Sequence, residues 1–167
     1  MKKMNLLQKD RKIGEAKASE APGIFSFEEI EKIFLYFSTS ILEKNTEEEI
    51  LWDLAKNCIS QLGFEDCVIY LVEEEKQVLA QKAAYGPKNP KAKSILQPID
   101  IPIGSGITGY VALSGVAEIV ENTSLDPRYI VDDMPRLSEI AVPILMEGKV
   151  LGVIDCEHPE PGFFTSQ

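Results

Sequence analysis

The chain has 167 residues, 44% of them hydrophobic and 26% charged, enough for one well-buried core and too few for two ordinary domains. Seventeen Lys and Arg stand against 27 Asp and Glu, a net charge of -10; with no basic stripe interleaved with aromatics, a nucleic-acid partner is excluded, because a phosphate backbone would be repelled. No run of about 18 uncharged apolar residues offers a bilayer span, and Cys58, Cys67 and Cys156, far apart in apolar runs, read as buried thiols of a reducing, cytoplasmic compartment.

Residues 1–22 hold the basic stretch Lys2, Lys3, Lys9, Arg11, Lys12 and Lys17 without the apolar core of a signal peptide, so they are expected to be a disordered leader or linker. Pro22-Gly23 breaks the chain, and Ser26-Phe27-Glu28-Glu29 is a capping box that opens a helix over 27–44. Its apolar residues Phe27, Ile30, Phe34, Phe37 and Ile41 are spaced three, four, three, four, a coiled-coil-like seam. That seam meets a second copy in a homodimer, or it packs on the domain's own sheet or last helix. A second box, Thr46-Glu47-Glu48-Glu49, opens a helix with Ile50, Leu51, Leu54, Ala55, Cys58, Ile59 and Leu62 on one face and Gly63 as its C-cap.

The period then changes. Residues 67–72 form a continuous apolar strand, 73–76 a turn, and 78–84 the returning arm of a hairpin. Residues 85–97 are rich in Pro, Gly and Lys and read as an exposed loop. Ile99, Ile101 and Ile103 alternate with Asp100 and Pro102, a half-buried strand that Pro102 assigns to a sheet edge. Gly104-Ser105-Gly106 turns the chain into a short helix over 107–114, ended at Gly115, and a brief strand follows at 118–120. The polar connection 121–137 is long for a structureless excursion, so a lid-like cover is expected there. Residues 140–146 and 150–156, joined by Glu147-Gly148-Lys149, are expected to be the sheet's central hairpin. Thr165 reads as the N-cap of a helix that the chain's end cuts off.

Four strings in this order carry a family resemblance: 101–112 (IPIGSGITGYVA), Asp126-Pro127-Arg128-Tyr129, 138–144 (SEIAVPI) and 148–155 (GKVLGVID). Together they make the chain resemble the GAF domain over roughly residues 27–167. The resemblance implies an α+β fold, a domain over 23–167 that begins with a signalling helix, and a central antiparallel sheet of five to six strands. It puts the long N-terminal helices on one face and a ligand pocket, covered by short helices and loops between Gly104 and Leu137, on the other. It implies a non-catalytic sensory module that binds a small molecule and relays the signal through its terminal helices to an output domain such as a histidine kinase. The alternatives are a ligandless dimerisation module and a reductase-like enzyme.

The residues narrow the ligand classes that such domains take. No cysteine lies between Tyr85 and Glu139 for covalent attachment of a tetrapyrrole. Haem needs an axial ligand such as His, and the sole histidine, His158, sits beside Pro159 after the last strand, where it reads as a solvent-side turn residue. The family's cyclic-nucleotide pattern of Asn, Lys, Phe, Asp and Glu does not lie on this lid. No cofactor is identified, and no paired-cysteine zinc spacing or phosphate loop occurs; Gly104-x-Gly106 is read as a plain turn.

The free methionine-(R)-sulfoxide reductase branch is resembled at Ser138-Glu139-Ile140 and Gly152-Val153-Ile154-Asp155. By that resemblance Glu139, Asp155 and Glu157 hold the substrate's polar atoms, while a lid cysteine attacks the sulfoxide sulfur. Residues 131–137 contain no cysteine, and without a thiolate that chemistry does not proceed. Glu139 and Asp155 lead the candidate ligand-binding residues, since each ends an otherwise apolar strand where a carboxylate needs a partner. Ser138, the hydroxyls of Tyr70 and Tyr110, and Asp126, Arg128 and Tyr129 of the lid complete the set.

Overall fold

The computed structural model describes residues 26–91 and 93–164; the expected leader and the Thr165 cap lie outside them. Helix α1 (Phe27–Ser40) starts as its capping box requires: Ser26 Oγ accepts from the Glu29 backbone N–H, and the Glu29 carboxylate accepts from the Ser26 N–H at 2.8 Å. The helix ends at Ser40 in a tight turn over Ile41–Glu43, four residues before the expected end at 44. Helix α2 (Glu47–Asp53), capped by Thr46, widens into a π turn at Leu54–Cys58 and tightens again at Ile59–Leu62, so the expected single helix is one irregular helical run. Gly63, at φ +68°, closes it in the left-handed conformation.

Six strands, β1 (Asp66–Glu73), β2 (Val78–Tyr85), β3 (Asp100–Pro102), β4 (Glu118–Val120), β5 (Ser138–Met146) and β6 (Lys149–His158), form one sheet in the order β3-β2-β1-β6-β5-β4. Every neighbouring pair is antiparallel. The Pro102 strand is an edge, as its missing N–H demands. The final hairpin is less central than expected, since β6 occupies a middle position and β5 lies one strand from the β4 edge.

Two apolar layers flank the sheet. On one face Leu51, Trp52 and Ala55 of the helical run meet Cys67, Ile69, Ala83 and Cys156. On the other, Ile107, Val111 and Ala112 of α3 (Gly106–Ser114) meet Val68, Tyr70, Leu79, Ala141 and Val153. The division follows from the strand period of two: odd residues of β1 pack under the helices, and even ones turn to the α3 side. No helix among the described residues is long and apolar enough to cross a membrane.

Candidate functional site

Strand register aligns three acids across the sheet's α3 side. Asp66 of β1 is the cross-strand partner of Glu157 on β6, and Glu157 is the partner of Glu139 on β5. Asp155, two residues along β6, lies on the same face and partners Val68. Like charges directly opposed across strands destabilise a sheet, and all four carboxylates are buried.

The four acids line a cavity together with Val68 and Tyr70 of β1 and with Ile107 and Thr108 of α3. Its cover is the segment between β4 and β5, which contributes Ile130, Asp132 and Asp133. The expected lid therefore lies over the sheet's acidic face. Gly106 sets how closely α3 approaches it: a Cβ there would meet Ile130 Cδ1 at 2.6 Å, and φ is +71°.

Two buried cations fasten the lid. Arg136 Nη2 donates to Asp66 Oδ2 at 2.9 Å and reaches Asp133 Oδ2 at 3.5 Å, and both side chains of the closer pair are 3% exposed. Lys88 Nζ, in the β2–β3 loop, pairs with Asp132 Oδ1 at 2.6 Å and donates to the Leu96 and Gln97 carbonyls. The Arg136 backbone N–H donates to the Tyr129 hydroxyl at 2.9 Å, and Thr123 Oγ1 donates to the Arg136 carbonyl. With the lid so held, the free space is about 10 Å³, room for a single water-sized occupant.

Crowding of buried acids shifts their protonation. Burial, then the charge of Glu157, pushes Glu139 up to about 8. Burial, then Asp155, pushes Glu157 up to about 9. Burial, then Glu139, drives Asp155 well above the carboxylate range. Asp66 rises to about 6, burial prevailing over the opposing pull of Arg136. Around neutral pH the row is a mixture of carboxylic acids and carboxylates, able both to donate and to accept hydrogen bonds. The oxygens of Asp66, Asp133 and Glu157 also approach within 4.8 Å of one another.

Of the residues expected from the sequence, Glu139, Asp155 and Tyr70 line the cavity. The Tyr70 hydroxyl accepts from Gln81 Nε2 at 3.0 Å, and burial raises its pKa. Tyr129 serves the lid's own structure through Arg136. Ser138 is fully buried but donates to the Glu160 carbonyl, on the strand parity opposite Glu139. Tyr110, Asp126 and Arg128 lie elsewhere: Tyr110 is 42% exposed beneath the Arg128 guanidinium, which is held by Asp126 and Glu118 in an outer ion cluster. His158 is corrected as well. It is buried rather than solvent-facing, stacked on Phe163 at 3.6 Å, with Nδ1 accepting from the Glu160 N–H.

Asp66, Asp132, Asp133, Lys88 and Arg136 were not anticipated. The Arg136 to Asp66 pair spans 70 positions, beyond any local pattern; the one sequence signal was the density of charge in the lid.

A family profile described as GAF domain matches residues 44–167. Among curated proteins, protein YtsP of Bacillus subtilis is 36% identical over 61 residues, 36% of this chain and 37% of that protein. Free methionine-R-sulfoxide reductase of Escherichia coli is 26% identical over 98 residues, 59% of this chain and 53% of that one. The matches thus span between about two fifths and about half of those relatives' lengths. Among solved structures, the GAF domain of an Acinetobacter phosphoenolpyruvate-protein phosphotransferase aligns with a TM-score of 0.72 at 20% identity, covering 85% of this chain and 84% of that one. Free methionine-R-sulfoxide reductase of Neisseria meningitidis, in complex with its substrate, also aligns at 0.72, with 21% identity and coverage of 85% and 81%. At such identities these structures speak to the fold.

Proposed function

Since the chain belongs to the GAF domain family, we propose that it is a non-catalytic sensory module of a cytoplasmic, bacterial-type signalling protein. It takes up a small polar molecule under the 121–137 lid and relays occupancy through its terminal helices to an output domain such as a histidine kinase. The observation that carries this reading is the buried row Asp66, Glu157, Glu139 with Asp155 beside it, roofed by a lid that two ion pairs hold down. Four acids under one roof suit a ligand rich in hydrogen-bond donors, above all one bearing a protonated amine or guanidinium. A closed space of about 10 Å³ requires the lid to open for such a ligand and to reclose on it, so binding has a differential affinity for two lid states.

The N-terminal helix supports the relay. Phe27 is 82% exposed and Phe34 71% exposed, while Ile30, Phe34 and Phe37 form an apolar groove with Leu54, Ile59 and Leu62. In this reading the groove is where α1 pairs with a second copy in a homodimer.

The kinship with methionine-R-sulfoxide reductases keeps an enzymatic reading in the test. The chain's cysteines are at 58, 67 and 156; Cys67 and Cys156 sit in the apolar layer beneath α2, across the sheet from the acids, and the hydrogen bond with the neighbouring Cys67 thiol, then burial, raises the pKa of Cys156. Incubation with methionine-R-sulfoxide and excess dithiol, with methionine quantified, is expected to yield no turnover. Turnover that persists with Cys58, Cys67 and Cys156 all replaced by Ser would contradict the thiol argument, and turnover lost in any one of the single Ser variants would replace the sensor with a reductase.

A further inference from the structure

We propose that Asp66, Asp133 and Glu157 form a site for a hard divalent cation of calcium's size, seated between the sheet and the closed lid. The site shares the cavity of the proposed sensor but needs no organic ligand.

Geometry is the first support. The three carboxylates each present an oxygen within 4.8 Å of the other two. Three oxygens this close can share one cation at calcium's distance of about 2.3–2.6 Å, and calcium's loose coordination tolerates carboxylates fixed by a sheet and a lid, whereas magnesium demands a near-ideal octahedron and gives up its waters reluctantly. The donors are all carboxylate oxygen, the chemistry of calcium and manganese rather than of zinc or copper.

The second support is independent of spacing. Arg136 engages Asp66 and Asp133 only through their Oδ2 atoms. Their Oδ1 atoms are buried and accept no hydrogen bond from any described residue. Asp66 is 3% exposed at its side chain and lines the cavity, as does Asp133. An unpartnered buried carboxylate oxygen is costly, and here two of them border the same small void. Asp155 Oδ1, also buried and unpartnered, borders it too.

Charge and size agree. A bound cation displaces the protons these acids carry, and the three carboxylates against one guanidinium then leave two negative charges, which a divalent cation neutralises. The void of about 10 Å³ admits one atom-sized occupant without opening the lid. Asp66 and Glu157 stand on the paired strands β1 and β6 and Asp133 on the lid, so a cation bridging them would tie the cover to the sheet and add to the Arg136 latch.

The test uses the whole chain stripped with EDTA and returned to chelator-free buffer, with no organic compound added. Calcium or manganese chloride at millimolar concentration is expected to raise the unfolding midpoint by several degrees, and magnesium by less. Titration into Mn²⁺ is expected to quench its six-line resonance spectrum with one ion per chain. Asp133→Asn, a change on the lid that leaves the sheet untouched, and Glu157→Gln are each expected to weaken binding about tenfold or more, while the surface change Glu74→Gln leaves it as it was. No shift and no quenching in the wild type, or undiminished binding in Asp133→Asn, overturns the proposal; should Glu157→Gln fail to fold, Asp133→Asn decides. Screening organic ligands separately in EDTA keeps a failure here distinct from a failure of the sensor reading.

Discussion

Replacing Arg136 by Met removes the guanidinium that pairs with Asp66 while keeping most of the side chain's apolar volume. Both partners are 3% exposed at their side chains, 2.9 Å apart. Breaking such a pair from one side costs about 3–5 kcal/mol, because the remaining charge is stranded in a poor solvent. In a domain of this size that is a fall in melting temperature of roughly 6–20 °C. Asp66 can escape part of the penalty by taking a proton: its pKa is already about 6 with Arg136 opposing the rise, and loss of Arg136 moves it higher. The deficit is therefore smaller at pH 5 than at pH 8. Asp66→Asn removes the stranded charge, so the double variant is expected to recover part of the loss, with a coupling of about 0.5–3 kcal/mol. Urea unfolding of the four proteins at both pH values gives the cycle. A loss below about 1 kcal/mol for Arg136→Met at pH 8, or strict additivity with Asp66→Asn, would refute the buried latch.

Stability should fall as pH rises from about 5 to about 9. In the folded protein Glu157 keeps its proton up to about 9 and Glu139 to about 8, and Asp155 is shifted the same way, whereas the unfolded chain releases these protons near 4 to 4.5; the folded state therefore binds more protons across this range, and stability falls as pH rises through it. Urea titrations at pH 5.5, 7 and 8.5 read this directly, and stability rising with pH would contradict it. Gly152→Ala puts a Cβ 2.1 Å from the Tyr70 carbonyl oxygen and should cost about 1–3 kcal/mol through separation of β1 from β6. Gly148→Ala, with open space around it but φ +80°, should cost about 1 kcal/mol from backbone strain alone; equal denaturant midpoints for the two would undo the distinction. Phe34→Glu, at a residue 71% exposed, is expected to convert a dimer to a monomer in light scattering, and a monomeric wild type would remove α1 as the interface.

Period and capping carried the fold a long way, because both are local. The Ser26 and Thr46 caps, the β1–β2 hairpin and the Pro102 edge each depend on a few neighbouring residues, and each is found where its pattern predicts. The π turn after Asp53 left no such mark: 54–62 keep an apolar face whether the turn is α or π. In the site, Glu139 and Asp155 were legible because a carboxylate inside an apolar strand is conspicuous. Asp66 was not, since a polar residue opening a strand resembles the end of a turn, and its partner is remote in sequence. Asp132, Asp133 and Arg136 looked like a solvated loop; only the fold of that loop onto the sheet makes them interior. His158 was misread for a similar reason, as Pro159 promised an exposed turn while Phe163 folds back to stack on the imidazole.

The central claim is that the covered acidic row binds a small donor-bearing molecule. Its most direct test is thermal unfolding of the chain, in EDTA, against amino acids, amines, guanidino compounds, methionine sulfoxides and cyclic nucleotides, repeated with Glu139→Gln and Asp155→Asn. A compound at about a hundred times its dissociation constant should add about 2.7 kcal/mol, several degrees of melting temperature. A shift with an amine or guanidino compound that vanishes in both variants is the predicted result. No shift with any compound, or one that survives both substitutions, would contradict the account and leave the chain a ligandless interaction module.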